Sequence, residues 1–179
     1  MKLLSVAFLL ASCTLALGTT LQDMKDALST KDPIWDVRRS FQRDSASAVT
    51  CVYDKQESLE GNKYQCEHGY QSGGQKHTVT LYGTLGEEGD KGTITISMSP
   101  GGGGGNKHTL EHWDPKQKCF ILKFANATAE NTIDQCALHV WDSSLTSYTG
   151  GNYPCGEQFT SICGSSGHDL FTASCRTSS

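Results

Sequence analysis

Three stretches of this sequence carry residue types that do chemistry elsewhere. His108, Glu111 and His112 resemble part of a metal site. On a strand, however, residues 108 and 112 share one face and residue 111 points to the other, so the three do not converge. Gly101 to Gly105 has the composition of a phosphate-binding loop. No Lys-Ser/Thr pair follows it and no helix opens after it, so it reads as a hairpin tip between two strands. Glu87, Glu88 and Asp90 are neighbouring carboxylates set among glycines, where solvated charge usually sits. No Gly-x-Ser-x-Gly elbow is present, and scattered Ser and His residues do not make a triad. None of these is a catalytic constellation. The expectation is binding without turnover, and without metal or cofactor.

The cysteines carry a different chemistry. Of eight, Cys13 lies in an apolar leader and seven follow it: Cys51, Cys66, Cys119, Cys136, Cys155, Cys163 and Cys175. They are scattered, with no Cys-x-x-Cys pair, and read as a disulfide framework rather than a zinc site. An odd number leaves one thiol free or paired between chains. Asn126-Ala127-Thr128 is a sequon, which makes Asn126 a glycosylation acceptor in a cell that glycosylates.

The compartment follows from the N-terminus. Lys2 precedes an apolar run from Leu3 to Leu17, and Ala16-Leu17-Gly18 offers small residues to a signal peptidase. The run is too short to span a bilayer, so residues 1–18 read as a signal peptide and 19–179 as one secreted domain. Leu10-Ala11-Ser12-Cys13 has the form of a lipoprotein box, but the chain stays apolar beyond Cys13. Removing 18 of 179 residues leaves 161, enough to bury a core. Losing Lys2 takes the formal charge from −4 to −5. That acidic balance argues against nucleic acid or an anionic membrane as partner.

The elements that must position a site are mostly strands. Leu21, Met24, Ala27 and Leu28 recur at helical spacing. The period then changes to two. Trp35, Val37, Arg39 and Phe41 alternate with Asp36, Arg38 and Ser40, and similar runs occur near 49–54, 63–70, 77–82, 93–98, 107–113, 118–124 and 136–141. Turn signals at Glu60-Gly61-Asn62, Ser72-Gly73-Gly74, Gly86 to Gly92, Pro100 to Asn106 and Asp114-Pro115 break these eight strands, which suits an antiparallel barrel or sandwich. Gly156 to Cys163 has the length of a short terminal helix. A barrel of about eight strands holds one small ligand. Some of Trp35, Phe41, Tyr53, Tyr64, Tyr82, Trp113, Phe120, Phe124 and Trp141 would line its pocket.

Several segments taken in order resemble the tick salivary lipocalins, the histamine-binding protein family of hard ticks. They are Ala27-Leu28-Ser29-Thr30, Ile34-Trp35, Arg38-Arg39-Ser40-Phe41, Thr50-Cys51-Val52-Tyr53 and Lys55-Gln56-Glu57-Ser58-Leu59. Further along come Gln117 to Leu122, Cys136 to Asp142, and the closing Cys155, Cys163 and Cys175. The resemblance spans nearly the whole chain after the leader. It implies an eight-stranded antiparallel lipocalin barrel with short N- and C-terminal helices. It also implies the bridges Cys51–Cys175 and Cys119–Cys155. We infer Cys136–Cys163 as the third, which leaves Cys66 free.

The role the resemblance implies is capture of a small host mediator: histamine, serotonin or an eicosanoid such as a leukotriene. An alternative is a barrel scaffold whose loops bind a host immune protein such as complement. The family's ligand residues transfer poorly. Amine binders carry an acid on the eighth strand, where this chain has Ala137, and another after the seventh-strand cysteine, where it has Phe120. Arg39 and Lys118 add positive charge, so the expectation is a neutral or anionic ligand. Ala137, His139 and Trp141 share the face expected to turn inward, with a neutral His139 as the pocket's polar residue. With Arg39, Phe41 and Phe120 they make the candidate ligand-binding set, and Trp35 is expected at the barrel floor.

Overall fold

A computed structural model describes residues 19–42, 48–101, 104–125, 134–146, 150 and 152–178. The leader and Asn126 lie outside them. Helix α1 (Leu21–Leu28) begins with a capping box: Asp23 N–H donates to Thr20 Oγ1 and Thr20 N–H to Asp23 Oδ2. Those two bonds satisfy donors that an eight-residue helix would otherwise leave open. Its apolar stripe, Met24, Ala27 and Leu28, is fully buried.

Eight strands follow in antiparallel order: β1 (Ile34–Arg39), β2 (Val49–Glu60), β3 (Lys63–Ser72), β4 (Gln75–Glu88), β5 (Lys91–Ser97), β6 (Asn106–Asp114), β7 (Cys119–Ala125) and β8 (Asp134–Trp141). Each pairs with the next, β8 returns to β1, and β1 also pairs with β2, so the sheet closes into a barrel. Strands β2 and β4 outrun the sequence expectation by several residues each, because their polar outer positions hide the ends. Helix α2 (Gly156–Cys163) and a two-residue strand, β9 (His168–Asp169), complete the elements. Strand β9 pairs with β1 at Arg38 and Arg39.

Two cores form on the two faces of the sheet. The inner one contains Ile34, Tyr64, Cys66, Leu85, Ile94, Leu110, Trp113, Phe120 and Leu122, sealed by α1. The outer one lies under α2 and the C-terminal segment and contains Trp35, Val37, Ile121, Leu138, Val140, Phe159 and Phe171. All three bridges belong to the outer core: Cys51–Cys175, Cys119–Cys155 and Cys136–Cys163. Cys66 is free, but it is 3% exposed on the inner wall, where no second chain reaches it.

Trp35 is not at the floor. It packs outside the barrel against Tyr53 and Phe171 and donates its indole N–H to Asp142. The tryptophan at the floor is Trp141, whose Nε1 donates to the Ala27 carbonyl of α1 at 2.9 Å. The helix reaches this position because Gly92 leaves room. A Cβ on Gly92 would lie 2.4 Å from the Thr20 carbonyl oxygen and 2.9 Å from Met24 Cβ. A backbone oxygen has nowhere to yield. Gly92→Ala is therefore expected to unseat α1 and cost about 1–3 kcal/mol, measured by urea unfolding. An unchanged midpoint would show that α1 does not plug the barrel.

A candidate ligand chamber inside the barrel

A β-bulge sets the inner wall of β1. The register runs Ile34↔Trp141, Trp35↔Val140 and Asp36↔His139, then shifts so that Arg38 faces Leu138 and Arg39 faces Ala137. In a regular strand, residues 36 and 39 would point to opposite faces. The extra residue of the bulge returns both to the inside. Simple alternation placed Trp35, Val37, Arg39 and Phe41 together; instead Trp35 and Val37 face the outer core. Arg39 faces the chamber, and its guanidinium lies 5.4 Å over the Phe41 ring.

A second bulge, between Leu110 and His112, splits the histidines of β6. His108 pairs with Ile94 on the inner face, while His112 pairs with Ile121 of the outer core. They do not share a face as the sequence suggested. Glu111 forms an ion pair with Lys91. Among the described residues, no three His, Cys, Asp or Glu side chains gather as a metal site.

The chamber wall is aromatic and polar together. Phe120 stacks on His139, with centroids 4.8 Å apart, and meets Trp113 edge-on. Phe124 packs against Phe41 and His108 near the open end. Arg39 Nε donates to Asp36 Oδ2 at 2.5 Å, with side chains only 11% and 5% exposed. Asp54 Oδ1 lies 2.7 Å from His68 Nδ1, both about a quarter exposed, so this part of the wall is open to solvent. His139 lies within electrostatic reach of Asp36, Asp54, Arg39 and His68. Asp36 Oδ1, Tyr64 OH and His139 Nδ1 are buried without a hydrogen-bond partner. A buried polar atom left unpaired is costly unless water or ligand completes it.

All six candidate residues therefore face the interior. Ala137, His139 and Trp141 line β8, Phe120 lines β7, Arg39 faces in from β1, and Phe41 follows β1. Lys118 does not join them: it lies at the closed end, 5.6 Å over the Trp141 ring. The sequence reading missed Asp36, Asp54 and His68. Asp54 was accessible from its alternation with the outward Tyr53, but Asp36 was hidden by the bulge.

Burial pushes His139 below its ordinary range and His108 down to about 4. Burial alone would raise the Asp54 carboxyl, but its bond to His68, with the charges of His68, His139 and Arg39, holds it below the usual value. Burial, the charge of Asp54 and other neighbours push the Cys66 thiol up, which keeps it protonated and unreactive. Below about pH 6.5 the unfolded chain binds protons that buried neutral histidines refuse, so stability falls with falling pH. The Asp54 contribution is lost in the same direction at lower pH. His108 alone is expected to remove about 2–3 kcal/mol between pH 7 and pH 4, and His139 acts in the same direction. Guanidinium unfolding across this range reads the effect, and a flat profile contradicts it.

On the outer face, a groove of about 480 Å³ is lined by Lys107, Glu111, Lys123 and Asp134 among others. Its charges compensate one another in the pairs Lys107–Glu88, Lys91–Glu111 and Lys123–Asp134. No helix among the described residues is long and apolar enough to cross a membrane.

No protein-family model and no curated protein matches the sequence. Solved structures share the fold. The complex of AM182 with serotonin superposes with a TM-score of 0.58 at 15% identity, covering 85% of this chain and 91% of that one. The fold is that of a lipocalin. A cockroach major allergen, Per a 4, gives a TM-score of 0.48 at 18% identity over 72% of this chain and 74% of its own. In this lipocalin barrel α1 closes one end of the inner face, and the other end is where β1, β3, β5 and β7 finish.

Proposed function

We propose that this lipocalin captures a small aromatic amine in its barrel, without turnover. One observation carries the reading. The inner wall holds two carboxylates, Asp36 and Asp54, against one guanidinium, Arg39. Before any histidine is protonated, that leaves one negative charge beside a stacked aromatic wall. An ammonium ion entering a dry pocket needs such a carboxylate to offset its desolvation. The expectation of a neutral or anionic ligand rested on the absence of acids at residues 120 and 137. Asp36 and Asp54 supply the charge from β1 and β2 instead.

Serotonin in the AM182 complex is an amine of this class. The leader and three bridges support secretion into an oxidising compartment. Together with the salivary resemblance, they support sequestration of a host amine mediator as the physiological role. Calorimetric titration with serotonin, histamine and a long-chain carboxylate tests the ligand class. The amines are expected to bind, and Asp54→Asn to weaken them about 10- to 100-fold, the worth of one charged hydrogen bond. Binding of the carboxylate with no response to either amine would sink the proposal.

A further inference from the structure

The Asp36–Arg39 pair has a consequence for selectivity that rests on the amine reading above. A guanidinium inside a cation-binding chamber is at first sight counterproductive. Its effect is to occupy one of the two carboxylates permanently. Arg39 Nε sits 2.5 Å from Asp36 Oδ2, both side chains are about nine-tenths buried, and the bulge between residues 36 and 38 exists to bring them to one face. Arg39 is further held over the Phe41 ring. Ala137, its register partner on β8, is small enough to leave the guanidinium room. The remaining carboxylate, Asp54, is the more open one and is paired with His68.

We infer that Arg39 is a specificity-determining residue: an internal counter-ion that limits the chamber to ligands with one positive charge. A diammonium of similar size would bring a second cation for which no uncompensated carboxylate remains. It would also place that cation near a fixed guanidinium. Like charges at short range in a poorly solvated space repel strongly, and the second ammonium loses its hydration without recompense. Removing the guanidinium releases Asp36, whose Oδ1 already lacks a partner. The chamber then offers two anionic anchors instead of one.

The test displaces bound serotonin with a matched pair, benzylamine and 1,3-bis(aminomethyl)benzene, which differ by one aminomethyl group. The folded wild-type protein is expected to prefer the monoamine by about tenfold or more. Arg39→Gln is expected to erase or reverse that preference, and Arg39→Lys to retain it. A diamine bound by wild type as tightly as the monoamine overturns the inference, and so does an unchanged preference in Arg39→Gln. If Arg39→Gln does not fold, the wild-type ratio alone decides. Failure of serotonin to bind wild type removes the amine reading and the inference with it. Serotonin binding with no discrimination removes the inference only.

Discussion

Replacing Cys51 and Cys175 together by serine is expected to lower the unfolding free energy by about 4–5 kcal/mol. The bridge closes a loop of 124 residues, against 36 for Cys119–Cys155 and 27 for Cys136–Cys163. Loop-closure entropy grows only with the logarithm of length. On that scale the shorter bridges are each worth about 3.5–4 kcal/mol. The other two bridges also shorten the covalent path between residues 51 and 175 to about 90 residues, which trims the effect of the longest bridge by only a few tenths of a kcal/mol. What sets the Cys51–Cys175 bridge apart is therefore its placement more than its length. It ties the start of β2 to the C-terminal segment that covers Trp35 and Phe171. Without it, that segment is held by the short β9–β1 pairing, by the Leu170 N–H bond to the Val37 carbonyl, by the Tyr153 hydroxyl bond to the Phe171 carbonyl, and by the ion pairs Arg38–Asp169 and Arg176–Asp142, which are partly exposed and worth little each. Equilibrium unfolding in urea, compared with the Cys136→Ser/Cys163→Ser variant, reads the difference. A smaller loss for Cys51/Cys175 than for Cys136/Cys163 would mean that the C-terminal cover contributes nothing beyond loop entropy.

The barrel itself was legible because its signals are redundant. Eight strand-like stretches, with glycine in the breaks at 60–62, 72–74, 86–92 and 100–106, point to the same architecture even when a boundary is wrong by several residues. The inward face of β8 was legible for the same reason: Ala137, His139 and Trp141 alternate without interruption. What was not legible was the face of any residue beyond a bulge. Trp35-Asp36-Val37-Arg38-Arg39 contains no glycine to mark the extra residue, and neither does Leu110-Glu111-His112. One uncounted residue reverses every later assignment on that strand. That single effect put Trp35 beside Arg39, hid the Asp36 carboxylate and aligned His108 with His112. The charge of the chamber, and with it the ligand class, depended on a feature that alternation does not record.

Breaking the Asp36–Arg39 pair from either side is expected to give two different pH dependences. Asp36→Asn strands a guanidinium in a site where the side chains are almost fully covered. Arginine does not shed its proton in proteins, so the cost stays near 3–5 kcal/mol at every accessible pH. Arg39→Gln strands a carboxylate instead, and a carboxylate can take up a proton. Its cost is capped by the work of protonating it, about 4 kcal/mol at pH 7 and about 1.5 kcal/mol at pH 5. The stability penalty relative to wild type therefore shrinks as pH falls. Taking each difference against wild type at the same pH cancels the background loss from His108 and His139. The double variant Asp36→Asn/Arg39→Gln leaves no charge behind and is expected to be more stable than Asp36→Asn alone, a coupling of about 1–3 kcal/mol. Urea unfolding at pH 7.5 and pH 5 gives all six values. Strict additivity of the two single changes, with the same pH response for both, would mean that the guanidinium and carboxylate do not compensate each other. The chamber would then have no internal counter-ion with which to select a singly charged ligand.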